Sequence, residues 1–86
     1  MRTIGFIEHP AYKITVFSWS EKYIVKIEAG FFEQSYKFRQ EEFSSWEELK
    51  LLFDDMYIES LRKTFHHMSD ELKIAKQRYG DRPRIV

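Results

Sequence analysis

The stretch that decides the fold spans residues 12–39 and reads YKITVFSWSEKYIVKIEAGFFEQSYKFR. Apolar and polar side chains alternate along it with a period of two, as they do in half-buried β-strands. The alternation holds over three runs, which cover residues 12–19, 22–28 and 32–39. Short turns at Ser20-Glu21 and Ala29-Gly30 separate the runs. The pattern predicts an antiparallel meander of three strands.

A shorter apolar run covers residues 3–8, upstream of the meander. It ends at His9-Pro10, where the proline has no N–H to donate to a neighbouring strand. The run predicts a further strand at one edge of the meander. The sequence leaves open whether this strand pairs with the others, so the predicted sheet has three or four strands.

Helical signals replace the alternation from residue 45 onward. Ser45 begins a Ser-x-x-Glu pattern, in which the serine caps a helix and Glu48 reaches back to it. Apolar side chains near Leu49 form one stripe, and those from Leu61 onward form a second stripe about 120° away around the helix axis. One straight helix would not keep both stripes on one core. We therefore expect a break at Asp54-Asp55, with an aspartate capping the next helix.

These signals predict a short helix over residues 46–53 and a long helix over residues 56–79. Gly80 suits the position just past the long helix, where a left-handed backbone is common. The predicted fold is a single α+β domain over residues 1–80, an antiparallel three- to four-stranded β-meander packed on one face by a short and a long C-terminal helix. Residues 81–86 are expected to form a basic, flexible tail.

The two helices are the only cover that the predicted sheet has, so its more apolar face is expected to lie beneath them. That covered face is predicted to carry Tyr12, Ile14, Val16, Tyr23, Val25, Ile27, Phe32, Tyr36 and Phe38. The opposite, open face carries five basic residues. Its other members include the apolar Phe17, Trp19 and Ile24 and the acidic Glu28 and Glu33.

Basic side chains between aromatic rings on an open sheet are typical of single-stranded nucleic-acid platforms, in which rings stack on bases and cations hold phosphates. The same composition is also that of an ordinary solvated sheet face. Cover of Phe17 and Trp19 by a loop, a tail or a second subunit is a further alternative. The candidate nucleic-acid residues are Lys13, Phe17, Trp19, Lys22, Lys26, Lys37 and Arg39.

The long helix is expected to outreach the sheet. About 24 helical residues span roughly 36 Å, whereas strands of about eight residues span roughly 26 Å. The apolar stripe of the last turns then needs a partner, and for a small protein the commonest partner is a second copy. The alternative is a bend after His66-His67 that folds the stripe back onto its own core. The candidate dimer contacts are Phe65, Met68, Leu72, Ala75 and Tyr79.

The net charge of zero conceals a segregation of charge along the chain. Residues 1–40 carry six Lys/Arg against four Asp/Glu, residues 41–60 carry one against seven, and residues 61–86 carry seven against three. The acidic helical segment and the basic C-terminal helix favour complementary contacts between segments or between chains.

The length of 86 residues predicts one domain. Because the chain has no cysteine, its stability has to come from apolar packing, for which 17% aromatic residues are a good supply. No run approaches the roughly 18 apolar residues of a membrane span, and the first residues do not resemble a signal peptide. We therefore expect a cytoplasmic protein with no membrane association, no cofactor and no small-molecule ligand.

Catalytic and metal-binding chemistry lack parts in this sequence. His66 with Asp70, or His67 with Glu71, supplies two metal ligands one helical turn apart, but two ligands are not a site. Acid pairs such as Glu47-Glu48 are sequence neighbours, whose side chains diverge on a helix. The sequence has no Gly-x-Ser-x-Gly elbow, no cysteine nucleophile and no glycine-rich phosphate loop. We expect neither an enzyme nor a metal protein.

Four segments within residues 9–68 resemble a group of short, uncharacterised bacterial proteins with no assigned activity. They are HPAYKITVFSW, KYIVKIEAG, EQSYKF and FHHM. The resemblance implies no site residues. The order of strands followed by a helix also looks like half of a PUR-type nucleic-acid-binding repeat, a likeness of fold alone that transfers no residues.

Two functions follow as hypotheses from the sequence. The leading hypothesis is a non-catalytic interaction or regulatory module, whose partner is a second copy of itself or another protein. The alternative is binding of single-stranded nucleic acid by the open face of the sheet.

Overall fold

The computed structural model describes residues 1–81 and shows the predicted α+β architecture. The four strands are β1 (Arg2–Ile7), β2 (Lys13–Trp19), β3 (Lys22–Ala29) and β4 (Phe32–Arg39). A single 3-10 turn over Gln40–Glu42 leads to the helices α1 (Trp46–Leu52) and α2 (Asp55–Gly80). The predicted tail over residues 81–86 lies outside the described residues, except for Asp81.

The sheet is an antiparallel meander with its strands in chain order, β1-β2-β3-β4. The run near the start of the chain does pair as a fourth strand, since β1 forms a ladder with β2. A bulge interrupts this ladder between Thr3 and Gly5. The ladders of β3 with its two neighbours are regular along their whole length.

Two-residue turns join β2 to β3 and β3 to β4. Ser20 and Glu21 have φ angles of 50° and 64°, so both central residues of the first turn are left-handed, as a type I′ turn requires. In the second turn Gly30 supplies the left-handed residue, with a φ angle of 62°. Such turns match the right-handed twist of the strands and place β3 directly between its neighbours.

The hydrophobic core lies between the covered face of the sheet and the two helices. Its buried members are Ile7, Ile14, Val16, Val25, Ile27, Leu49, Phe53, Ile58, Leu61 and Phe65. The aromatic residues of the predicted covered face pack against this core, namely Tyr12, Tyr23, Phe32, Tyr36 and Phe38. All nine residues predicted for the covered face therefore lie there.

Both predicted helix caps are present, with one difference. The Asp54 carboxylate accepts a hydrogen bond of 2.8 Å from the Tyr57 amide, and the Ser45 hydroxyl accepts one of 3.4 Å from the Glu48 amide. The Glu48 side chain reaches back to Ser44, not to Ser45. It accepts hydrogen bonds from the amide and the hydroxyl of Ser44, because one carboxylate oxygen can serve two adjacent donors.

The helix α2 is continuous from Asp55 to Gly80, so the bend considered after His66-His67 is not present. The prediction that Gly80 lies just past the helix in a left-handed conformation is wrong. Gly80 is the last helical residue, and Asp81 follows with a φ angle of −85°. The Asp81 amide donates a hydrogen bond of 3.0 Å to the Gln77 carbonyl, which continues the α-helical pattern through the glycine.

The molecule is elongated, with principal extents of 57 × 28 × 19 Å. Over residues 1–81, none of the helices combines the length and the apolar character needed to cross a membrane.

Candidate functional site: the open sheet face and the projecting helix

The open face of the sheet is ordered in rows, because the register sets residues of neighbouring strands directly opposite one another. Each row has one residue from β2, one from β3 and one from β4. From one end of the sheet to the other, the rows are Trp19–Lys22–Arg39, Phe17–Ile24–Lys37, Thr15–Lys26–Ser35 and Lys13–Glu28–Glu33. Four of the five cations fall in the first three rows, and both acids fall in the last row. We call the first three rows the cationic end of the open face.

Lys22 lies directly opposite Arg39 at this cationic end. Like charges in this position destabilise an antiparallel pair. Arg39 has an acidic neighbour in Glu41, with 3.7 Å between Nη1 and Oε1 and 76% of both side chains exposed. An ion pair of this exposure contributes little to stability.

Ile24 lies at the centre of the cationic end and is 4% exposed, although it is not part of the core beneath the helices. Phe17 and Lys37 lie opposite it on the two neighbouring strands. The Nζ atom of Lys26 lies 5.3 Å from the centroid of the Phe17 ring. Lysine side chains can cover apolar surface with their aliphatic stems. The open face thus has a small apolar centre with ammonium groups around it.

Two exposed aromatic rings border this centre. Trp19 is 53% exposed, and Phe6 is 56% exposed opposite Thr15 on the same face. The apolar run over residues 3–8 predicts a strand but no face for Phe6. The register after the bulge between Thr3 and Gly5 places Phe6 on the open face. Six of the seven candidate nucleic-acid residues lie together at the cationic end. Lys13 does not, since three rows, about 20 Å along the strands, separate it from Lys22.

A shallow depression of about 500 Å³ lies at the edge of the cationic end. Its lining residues are Ser20, Glu21, Lys22, Arg39, Gln40 and Glu41. The Gln40 side-chain amide donates hydrogen bonds of 2.8 Å to the Ser18 hydroxyl and 3.2 Å to the Lys22 carbonyl. Acidic and basic side chains both line the depression, so it adds no anion site of its own.

Exposure rises along the apolar stripe of α2. Ile58, Leu61 and Phe65 are 7%, 2% and 6% exposed. Met68 is half-buried, and Leu72 is 42% exposed. The centroid of the Phe65 ring lies 5.5 Å from that of the Tyr12 ring. The cover provided by the sheet therefore ends within about one helical turn after Phe65.

The helical turns after Phe65 project beyond the sheet, since the 26 residues of α2 span about 39 Å and an eight-residue strand spans about 26 Å. Four of the five candidate dimer contacts lie on this part of the stripe, which we call the projecting stripe. They are Met68, which is half-buried and still packs against the core at the start of this part, and Leu72, Ala75 and Tyr79, the last of which is 69% exposed. Phe65 is instead part of the core of the single chain.

The two adjacent histidines of α2 contact different neighbours. The Nε2 atom of His66 lies 3.1 Å from Nη1 of Arg62, and that of His67 lies 3.9 Å from Oε1 of Glu71. A guanidinium beside His66 would repel a metal cation. Within residues 1–81 the structure has no group of three or more His, Asp or Glu side chains placed to hold a metal.

Contacts in the first half of α2 shift the pKa of three side chains. Burial raises the pKa of Tyr57, and the neighbouring Tyr36 adds to the effect. The Arg62 guanidinium donates to the Glu59 carboxylate, with Nε 2.9 Å from Oε2. This bond lowers the pKa of the Glu59 carboxyl and raises that of Arg62. Packing and one exposed ion pair account for the three shifts.

Comparisons of the chain with protein-family models, with curated proteins and with solved structures find no match. The resemblance to short bacterial proteins stays a prediction. The function has to be inferred from the two surfaces described above.

Proposed function

We propose that this protein is a non-catalytic interaction module that self-associates through the projecting stripe of α2. The observation that carries the proposal is the rise in exposure along a single stripe. Side chains that are 2–7% exposed against the sheet are followed, with unchanged helical spacing, by Leu72 at 42%. Apolar surface of this kind is stabilised by a partner that removes it from water.

A second copy is the partner that best fits the charges of the two helices. The first turn of α1 is acidic, with Glu47 and Glu48. The last turns of α2 are basic, with Lys76 and Arg78. A second copy supplies the same apolar stripe together with charges of the opposite sign, and complementary charges of this kind govern the choice of partner.

Sedimentation velocity over roughly 1–100 µM protein tests the proposal, and we expect a monomer–dimer equilibrium with Kd in this range. Leu72→Lys should weaken the dimer at least tenfold, because it places a charge within the apolar contact. Ile74→Lys is the matched control. Ile74 is 45% exposed, but it points about 160° away from Leu72 around the helix axis, so its replacement should leave the dimer intact.

Circular dichroism of both variants separates assembly from folding. If Leu72→Lys loses the fold, Leu72 belongs to the core of the single chain and not to an interface. A wild-type chain that stays monomeric at every concentration would contradict the proposal.

The cationic end of the open face favours a second function, binding of single-stranded nucleic acid. The specific observation is the like-charged pair Lys22 and Arg39 beside the exposed ring of Trp19. An anionic ligand would offset the repulsion within that pair, and a base would stack on the ring. Titration with mixed-sequence single-stranded DNA and RNA should quench tryptophan fluorescence, with an affinity that falls steeply as salt rises.

A further inference from the structure

The apolar stripe of α2 is used differently in its two halves, and this restricts how two copies can meet. Ile58, Leu61 and Phe65 face the sheet of their own chain and are at most 7% exposed. If two α2 helices paired in parallel through this stripe, both sheets would have to occupy the same space beside the first half. A parallel arrangement is therefore excluded by the chain's own sheet.

An antiparallel arrangement avoids this collision, because each sheet then lies beside the first half of its own helix, at opposite ends of the pair. The projecting stripe has spacings of four, three and four residues between Met68, Leu72, Ala75 and Tyr79. In two antiparallel helices, such a stripe stays in contact when the residue before the three-residue spacing in one helix faces the residue after that spacing in the other helix. Leu72 then faces Ala75, a large side chain against a small one.

Resting on the self-association proposed above, we infer that two copies pair antiparallel through α2, with Leu72 opposite Ala75 of the second copy and Met68 opposite Tyr79. The register shifted by one heptad would place Phe65 opposite Ala75 and Leu61 opposite Tyr79. Phe65 and Leu61 are already covered by their own sheet, at 6% and 2% exposure. The first register avoids both of these buried residues. Of the residues that it uses, Met68 is half-buried against the core of its own chain, whereas Leu72 is 42% and Tyr79 is 69% exposed.

The charges beside the stripe agree with this register. Glu71 and Arg78 are seven residues apart and flank the stripe on the same side of α2. Antiparallel pairing brings like flanks together, so Glu71 meets Arg78 of the second copy, twice by symmetry. Within its own helix Glu71 has only a loose contact with His67, at 3.9 Å and largely exposed. On the other flank Lys76 meets Ser69, which carries no charge.

This pairing also fixes the placement of the two sheets. The apolar stripe of each α2 contacts its own sheet along the first half of the helix and the second copy along the projecting half. The sheet of the first copy and the projecting half of the second helix therefore lie on the same side of the first helix. The two open faces then point to opposite sides of the dimer, and neither is covered by the interface.

Disulfide trapping tests the register, since the natural chain has no cysteine. A Met68→Cys chain and a Tyr79→Cys chain, mixed and oxidised, should form a mixed disulfide-linked dimer. Neither chain should link efficiently to itself, because antiparallel pairing separates the two copies of position 68 by about 16 Å along the axis, beyond the roughly 7 Å limit for a disulfide. Efficient self-linking of the Met68→Cys chain would overturn the register.

Charge exchange gives an independent measurement. Glu71→Arg and Arg78→Glu should each weaken the dimer by roughly fivefold, and the double variant should recover wild-type affinity. If the wild-type chain dimerises but the Met68→Cys and Tyr79→Cys chains form no mixed disulfide, the antiparallel register is overturned and self-association still stands. A wild-type chain that sediments only as a monomer would overturn both.

Discussion

The Gln34 side-chain amide on β4 donates a hydrogen bond of 3.0 Å to the backbone carbonyl of Leu61 on α2. Its own carbonyl oxygen accepts a hydrogen bond of 2.5 Å from the Tyr36 hydroxyl. Gln34 is 7% exposed within an otherwise apolar core, and both ends of its amide are paired, as buried polar groups require. This contact, together with the packing of Ile58, Leu61 and Phe65 in the core, sets where α2 lies along the sheet and therefore how far the helix projects.

Replacing this buried amide should destabilise the fold. Gln34→Ala leaves the Tyr36 hydroxyl without its acceptor and opens a cavity, which we expect to lower the free energy of unfolding by about 1–3 kcal/mol. Urea unfolding followed by circular dichroism measures the change. The exposed Gln77→Ala is the control and should lie within about 0.5 kcal/mol of wild type. Equal effects of the two substitutions would show that the contact across the core contributes nothing.

Because Trp46 lies close to the backbone of β1, we expect Gly5 not to tolerate substitution by a residue with a side chain. A Cβ atom at Gly5 would overlap the Trp46 indole ring. We therefore expect Gly5→Ala to lower the free energy of unfolding by about 1–3 kcal/mol. Gly80→Ala is the matched control, because a Cβ there meets nothing within 4 Å and alanine favours a helix by about 0.5–1 kcal/mol.

A double-mutant cycle with Trp46→Phe tests the cause of the Gly5→Ala loss. The smaller ring should tolerate the methyl group, so the double variant should lose less stability than the sum of the losses of the two single variants. Independent, additive effects of the two substitutions would rule out the predicted overlap.

Tyr57 predicts a loss of stability in alkali. Burial and Tyr36 raise its pKa, so the folded state holds the phenolic proton more tightly than the unfolded state does. The stabilisation is fully present below about pH 10, the ordinary tyrosine value, and is lost as pH rises through the raised pKa of the folded state. Urea unfolding between roughly pH 8 and 11 should show a shallower decline for Tyr57→Phe than for wild type. Superimposable profiles would contradict the assignment.

The open face predicts a specific pattern of nucleic-acid binding. Trp19→Ala should remove about 1–3 kcal/mol of stacking, and Lys26→Ala should reduce the slope of log affinity against log salt by about one. Lys13→Ala is the matched control, because it removes the same charge from the row that contains both acids. Trp46 packs over Gly5 and should not report binding, so quenching should disappear in Trp19→Ala. No binding at low salt, or equal losses from the two lysine variants, would remove this function.

Local patterns in the sequence are sufficient for the order of the elements and for the covered face of β2, β3 and β4. The alternation of Ile14 and Val16 with charged and polar neighbours places the covered face correctly, because side chains point to opposite faces at every second residue of a strand. Asp54 caps α2 as expected, because a cap needs only a side-chain oxygen within three residues of the amide that it accepts from. Both relationships join residues close together in the chain.

The tertiary structure alone decided the features that join distant residues. The bulge in β1 put Phe6 on the open face, and packing of α1 against β1 brought the Trp46 ring to Gly5. The point on α2 where cover by the sheet ends, between Phe65 and Leu72, depends on how the helix is placed along the strands. No periodicity encodes that placement, because it is fixed by packing between elements and by the bond from Gln34 to the Leu61 carbonyl.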